Sequence, residues 1–174
     1  MAKVSVSVDV PLSPEEAWQH ASDLSRYKEW LIIHRVWRSK LPENIGTGTV
    51  VESIVEVKGM PNRIKWTIVH FTPPESMTLN GVGAGGVKVK LIGKVRPAGQ
   101  AGAKGAGRGG AERGGVERGG VEHGGAASVV TMDVHLGGPA LFGPIGMLVA
   151  AALRSDIQSS LDRFVAVFAS GAAN

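Results

Sequence analysis

The chain has 174 residues, with 19 lysines and arginines against 15 aspartates and glutamates, and it has no cysteine. This length suits one domain, and a chain without cysteine has no disulfide, no thiolate nucleophile and no thiolate metal site. The net charge of +4 is modest and spread along the chain, so it does not by itself indicate nucleic-acid binding. We expect a single soluble domain.

The sequence predicts neither a signal peptide nor a membrane span, which leaves the cytoplasm as the default location. Residues 3–10 alternate apolar and polar side chains, which predicts a half-buried strand instead of the continuous apolar stretch of a signal peptide. The most apolar region, residues 137–152, is broken by prolines and glycines and is followed by Arg154, so it is too short to cross a bilayer. We therefore expect a cytoplasmic protein without a membrane span.

Two short helices are predicted after the first strand. Ser13-Pro14-Glu15-Glu16 supplies an N-cap, a proline for the first helical position and a glutamate that reaches back to the cap. A second helical segment is predicted after Ser22 or Asp23, and it brings Tyr27 and Trp30 within one turn. Paired short helices of this kind usually plug one end of a sheet.

From Gly48 onward the pattern predicts an antiparallel meander with strands at residues 49–57, 63–71, 77–80, 87–95 and 127–136. Alternation in these strands separates an apolar face from a polar face. In the second of them the apolar face carries Ile64, Trp66, Ile68 and His70. Residues 81–86 are rich in glycine, which predicts a turn or bulge after Asn80.

Residues 97–125 have a different composition. They contain three copies of a five-residue unit, Gly-Gly-Ala/Val-Glu-Arg/His, beginning at Gly109, Gly114 and Gly119. Such repeats bury too little apolar surface to offset chain ordering, so they predict a disordered loop within a hairpin. Arg-Gly-Gly triplets also occur in nucleic-acid-binding tails. Here three glutamates oppose four cations, so we favour an inert loop and do not expect a nucleic-acid partner.

A long helix is predicted at residues 145–169, because its apolar side chains recur three or four residues apart. These side chains are Val149, Leu153, Ile157, Leu161, Phe164, Val165 and Phe168. Together the elements predict an α+β helix-grip fold. In it a curved antiparallel sheet of six to seven strands surrounds a long C-terminal helix, and two short helices follow the first strand.

This order of elements resembles the START and polyketide-cyclase-like superfamily, also called SRPBCC. The local resemblance lies in Val-Asp-Val-Pro at 8–11 leading to Ala17-Trp18, and then in Asp23, Tyr27 and Trp30. A closer resemblance, to an actinobacterial subgroup of type II toxin-antitoxin toxins, lies in residues 21–27, 57–66 and 137–146. It covers nearly the whole chain apart from residues 97–125.

The resemblance implies a toxin that is held inactive by a cognate antitoxin protein, on a scaffold that binds hydrophobic ligands. Fold analogy is a weak warrant for activity, and the residues themselves name neither a target nor a reaction. Two alternatives stay open: a protein that binds or transports a lipid or polyketide, and a cyclase- or dehydrase-like enzyme.

In this architecture the sheet and the long helix often enclose an apolar cavity. Its predicted walls are Trp66, Ile68, His70, Met132 and Val134 from the strands and Met147, Ala151 and Ile157 from the helix, with Trp30 and His34 near the entrance. Three consecutive alanines at 150–152 leave room opposite the sheet. The alternative is that these side chains fill a solid core, as aliphatic side chains usually do.

The sequence indicates no metal site, no cofactor and no catalytic constellation. The five histidines share no spacing that would gather three metal ligands. General acid-base catalysis needs a titratable group in the pocket, and the predicted inner face offers His70 without a carboxylate beside it. A cyclase activity therefore has little support from the residues.

Overall fold

The computed structural model describes residues 2–98, 127–141 and 143–169. Within this part, one antiparallel sheet has the strand order β1-β7-β6-β5-β4-β3-β2. The strands are β1 (Ala2–Val10), β2 (His34–Trp37), β3 (Val50–Val57), β4 (Met60–Thr72), β5 (Ser76–Gly83), β6 (Lys88–Pro97) and β7 (Ser128–Gly137). The helices are α1 (Pro14–Ala21), α2 (Tyr27–Trp30) and α3 (Pro144–Phe164), and a π-helical turn, Val165–Ala169, continues α3. The predicted helix-grip fold is confirmed.

Helix α1 begins with the predicted capping box. The Ser13 hydroxyl accepts a hydrogen bond from the Glu16 backbone N–H (3.2 Å), and the Glu16 carboxylate accepts one from the Ser13 N–H (3.5 Å). A 3₁₀ turn, Leu24–Arg26, starts at Asp23, whose carboxylate accepts from the Ser25 N–H (3.1 Å). These local bonds satisfy amides that a helix start leaves unpaired, so both short helices are fixed in place.

Strand β2 and the end of β5 differ from the sequence prediction. His34–Trp37 pairs with β3, although the sequence pattern predicted no strand between the short helices and residue 49. Strand β5 continues to Gly83 and does not turn after Asn80, since Gly81 and Gly83 pair with Trp66 and Ile64 of β4. The side chains of Ile64 and Trp66 lie where a Cβ on Gly81 would be. Large neighbours thus cover the glycines that sequence analysis interpreted as a break in the strand.

His70 lies on the outer face of the sheet, contrary to the predicted inward position. The pairing of β4 with β5 shifts register between Ile68, which faces Leu79, and His70, which faces Thr78. This β-bulge inserts one residue and reverses the alternation, so Phe71 turns toward the core while His70 is exposed.

Helix α3 packs one face against the sheet and α2. The fully buried side chains of this face recur at helical spacing: Leu153, Ile157, Leu161 and Phe164. The buried Ser160 hydroxyl accepts from the Ile32 N–H (2.8 Å), and the Arg163 guanidinium donates to the Glu29 carbonyl (3.1 Å). The helix is therefore held by apolar packing and by polar contacts to the segment around α2.

Strands β6 and β7 are hairpin partners, as predicted, with register running from Lys88–Gly137 to Pro97–Ser128. The Ala98 N–H also donates to the Ala127 carbonyl (3.1 Å). The predicted disordered loop at 97–125 lies outside the described residues after Ala98.

We predict that replacing residues 99–126 with Asn-Gly preserves the fold. The closure entropy of a flexible connection grows slowly with its length, so shortening it from 28 residues should stabilise the protein by about 2 kcal/mol. Thermal unfolding should show an equal or higher melting temperature for the shortened chain. Loss of cooperative unfolding would contradict both the hairpin and the loop interpretation.

Candidate functional site

Two small cavities lie between the short helices and the concave face of the sheet. The larger has a volume of about 30 Å³, and its lining includes Trp18, Tyr27, Trp30, Gly93 and Met132. The smaller has about 20 Å³, and its lining includes His34, Trp37, Ser53 and Trp66. Tyr27, Leu79 and Leu91 line both cavities, so they form the partition between them.

The structure brings only some of the predicted site residues together. Trp30 and Met132 line the larger cavity, and His34 and Trp66 line the smaller one. Ile68, Val134 and Ile157 are buried in the solid core, with relative exposures of 0%, 1% and 0%. His70, Met147 and Ala151 are exposed and belong to neither cavity.

The cavities are much smaller than the ligand pocket that the sequence led us to expect. Pockets for drug-sized ligands have volumes of about 300–1,000 Å³, whereas 30 Å³ is room for a few water molecules at most. Aromatic rings occupy the space: Trp18 contacts Phe71 (5.8 Å between centroids), and Trp30 contacts Phe164 (5.1 Å). The alanines at 150–152 do not enlarge this space, because α3 contributes no lining residue to either cavity.

Two of the buried indoles, those of Trp66 and Trp30, have different hydrogen-bonding states. Trp66 Nε1 donates to the buried Ser53 hydroxyl (2.9 Å). Trp30 Nε1 is buried and has no partner among the described residues, although its side chain lines the larger cavity. An unpaired buried N–H is costly, so an acceptor atom that reached this indole would be stabilised.

Burial controls the protonation of the titratable side chains here. Burial, with a further contribution from Lys28, lowers the pKa of His34 to about 4, so the imidazole is neutral at pH 7. Burial likewise raises the pKa of the Tyr27 hydroxyl above its usual value. The rings of Tyr27 and Trp37 lie 6.4 and 4.6 Å from that of His34. This aromatic enclosure lacks the carboxylate that an acid-base pair would need.

The described residues offer neither a metal site nor a membrane-spanning helix. No group of three or more histidine, aspartate or glutamate side chains among them could hold a metal ion. No helix in ranges 2–98, 127–141 and 143–169 is long and apolar enough to span a membrane.

Comparison with known proteins identifies the family. The family model for polyketide cyclase / dehydrase and lipid transport matches residues 1–169. The chain belongs to this family. Solved structures share its fold: a START superfamily protein from Mycobacterium smegmatis has a TM-score of 0.64 at 16% identity, covering 94% of this chain and 96% of that one. The protein TTHA0849 from Thermus thermophilus has a TM-score of 0.65 at 15% identity, with 98% and 99% covered.

Relatives within the polyketide cyclase and lipid transport family are much closer in sequence. The protein named Toxin Rv0910 of Mycobacterium tuberculosis strain H37Rv is 65% identical over 169 residues, covering 97% of this chain and 99% of the relative. Uncharacterized protein Rv1546 of the same strain is 35% identical over 168 residues, with the same coverage. The predicted resemblance to the START-like superfamily and to proteins named as toxins is confirmed.

Sequence analysis missed several residues that line the larger cavity. Trp18, Tyr27 and Gly93 come from α1, α2 and β6. The available signals were the Tyr27–Trp30 pair at helical spacing and a glycine between Leu91 and Val95 on an otherwise apolar face. A Cβ on Gly93 would meet no atom within 4 Å, so this glycine leaves the space open.

We predict opposite effects of alanine at two glycines of the concave face. Gly93→Ala should raise the free energy of unfolding by about 0.5–1 kcal/mol, because it fills open space and removes the entropic cost of a strand glycine. Gly81→Ala should lower it by about 1–3 kcal/mol, since its Cβ would lie 2.6 Å from Ile64 Cγ2 and 2.7 Å from Trp66 Cε3. Urea unfolding measures both values; a loss of stability in Gly93→Ala would contradict the cavity geometry.

The buried His34 predicts acid sensitivity. Between pH 6.5 and about 4 the unfolded chain protonates this imidazole while the folded chain resists, so stability falls as the pH is lowered through that window. The lowered pKa of His34 corresponds to a loss of up to about 3 kcal/mol in the free energy of unfolding. His34→Phe retains an aromatic ring without the titration, so urea unfolding between pH 7.5 and 4.5 should show a shallower decline for it. Equal declines in the free energy of unfolding for wild type and His34→Phe would show that the titration of His34 does not cause the acid sensitivity.

Proposed function

We propose that this protein is the toxin component of a type II toxin-antitoxin pair and inhibits growth unless its cognate antitoxin binds it. The observation that carries the proposal is the 65% identity to Toxin Rv0910 over nearly the full length of both chains. Buried residues are a minority of the chain, so identity this high extends to surface positions. Those are the positions through which a toxin meets a target or an antitoxin.

The closed interior supports action through the surface. A carrier of lipids or polyketides needs internal space for its cargo, and the cavities here are about 30 and 20 Å³. An enzyme of the cyclase type needs a positioned acid or base, and the neutral His34 is surrounded by aromatic rings. A protein that works by binding another macromolecule needs neither.

A second candidate function is binding of a small apolar ligand with one acceptor atom. The unpaired Trp30 Nε1, on a side chain that lines the larger cavity, favours it, since a ligand whose acceptor atom reached the indole would satisfy it. The ligand would have to enlarge the cavity by displacing side chains such as Tyr27, which separates it from the second cavity.

For the toxin proposal, we expect induced expression in the host to slow growth and co-expression of the cognate antitoxin to restore it. Trp66→Ala is a matched control for the burden of expression, because truncating a buried tryptophan costs about 3–5 kcal/mol and should remove the folded toxin. Growth curves and the yield of soluble protein are the measurements. Normal growth at a high level of folded wild type would refute the proposal.

Gly93→Ala separates the two candidate functions in the same assay. This variant fills open space in the larger cavity and should stay folded. Growth inhibition equal to wild type supports action through the surface. A stable variant without growth inhibition would instead indicate that an occupant of the cavity is required.

A further inference from the structure

The outer face of the sheet, which points away from the core, carries two neighbouring lysines. The register places Lys90 of β6 between His135 of β7 and Asn80 of β5, and Lys88 lies beside Val82 in the next row. Side chains directly opposite each other in an antiparallel sheet have Cβ atoms about 5 Å apart. Side chains two residues apart on one strand lie about 7 Å apart. These five side chains therefore share one small area, which we call the basic patch.

The basic patch surrounds a shallow depression of about 440 Å³. Besides the five side chains, its lining consists of Gly81, Val89, Gly137 and Gly138. Strand alternation directs the patch outward, because Leu91 and Val134, which follow Lys90 and precede His135, are buried in the core. Gly137, opposite Lys88, has no side chain that would fill the depression. A side chain of a partner can therefore enter it.

Neighbouring carboxylates do not neutralise the lysines of the basic patch. Lys88 and Lys90 are exposed and form no ion pair within the described part of the chain. The carboxylate of β7, Asp133, accepts a hydrogen bond from the Ser5 hydroxyl (2.5 Å) and lies 3.8 Å from the Lys94 ammonium. This carboxylate already has partners, so the charge of the two lysines remains available.

The margins of the basic patch differ in charge. On one side, Lys65 of β4 lies opposite Glu52 of β3, and Glu52 also pairs with Arg63 (2.8 Å). The charge of Lys65 is therefore partly countered, and it lies outside the patch. On the other side, the exposed Lys3 of β1 lies beside His135. The positive charge thus extends from the patch toward β1.

We propose that the basic patch is a docking site for an acidic polypeptide segment of a partner protein. The identification of that partner as the antitoxin rests on the proposed function. Charge complementarity requires an anionic occupant. Carboxylate side chains of such a segment meet Lys88 and Lys90, and an apolar side chain meets Val82, which is 56% exposed.

The composition of the basic patch favours a polypeptide over a nucleic acid. Proteins that bind single strands combine many cations with aromatic rings on which bases stack. The patch has two lysines and no phenylalanine, tyrosine or tryptophan. Phosphates would also leave the exposed Val82 without an apolar contact. A polypeptide supplies both carboxylates and apolar side chains.

The first test measures binding of the full chain to labelled poly-L-glutamate of about 20 residues, by fluorescence anisotropy in about 50 mM NaCl. We expect wild type to bind. Lys88→Glu with Lys90→Glu should bind at least about tenfold more weakly, because two repulsive charges replace two attractive ones.

The matched control is Lys28→Glu with Lys40→Glu, which makes the same change of charge at exposed lysines outside the basic patch. It should weaken binding by at most about twofold. Circular dichroism should confirm that both double variants are folded. Three outcomes overturn the proposal: no binding of polyglutamate by wild type, equal weakening by both double variants, or tighter binding of a single-stranded RNA of about 20 nucleotides.

A second measurement tests the antitoxin as the occupant. The cognate antitoxin, co-expressed with the tagged full chain, should co-purify with wild type and with the control variant. Lys88→Glu with Lys90→Glu should retain at least about tenfold less of it. Equal co-purification with all three chains, or none with wild type, would exclude the antitoxin. Normal growth on expression of wild type would refute the toxin proposal instead, and polyglutamate binding would then decide the role of the basic patch alone.

Discussion

The edge-to-face contact between Trp30 and Phe164, 5.1 Å between ring centroids, is the interaction on which the rest of the architecture depends. It joins α2, which covers the concave face of the sheet, to the last turn of α3. Trp30 also contacts Tyr27 (5.4 Å), the ring that separates the two cavities. With Phe164 fixed, the rotation of α3 is fixed as well, and the side chains on its opposite face must point to solvent.

This packing makes the interior nearly solid, in a family whose description includes lipid transport. The fold alone does not provide a cargo space, because the same frame can be filled by larger side chains. Here tryptophan and tyrosine from the short helices line the small space that remains against the concave face of the sheet. The evidence for function therefore lies in the close relatives and in the surface.

Much of the fold could be predicted because its signals are local. The capping box at Ser13, the alternation in the strands and the helical period of α3 each depend on neighbours in sequence. Strand β2 was missed because four residues carry too little periodicity, and the bulge before His70 depends on pairing with β5. Gly81 was misjudged because its place in a strand depends on Trp66, which lies across the sheet.

The candidate site was harder to predict because it is built from distant segments, yet one error was avoidable. Helical geometry of about 100° per residue places Ala151 about 120° and Met147 about 80° from Ile157. The periodicity that buries Ile157 therefore excludes Ala151 from the cavity wall, and small size alone was a misleading criterion; Met147 is no farther from Ile157 in angle than the buried Val149.

The glycines where β7 leads into α3 show how the fold and the exposed surface depend on each other. A Cβ on Gly146 would overlap the Leu141 carbonyl oxygen, and a Cβ on Gly138 would crowd the Gly86 carbonyl oxygen. Gly138 also has a φ of 125°, which other residues rarely adopt. These close approaches bring the turn after β7 against the loop between β5 and β6, and the first turn of α3 against Leu141. Because Ile145 and Met147 flank Gly146, the packing that closes this end of the core also leaves two large apolar side chains exposed, at 60% and 74%.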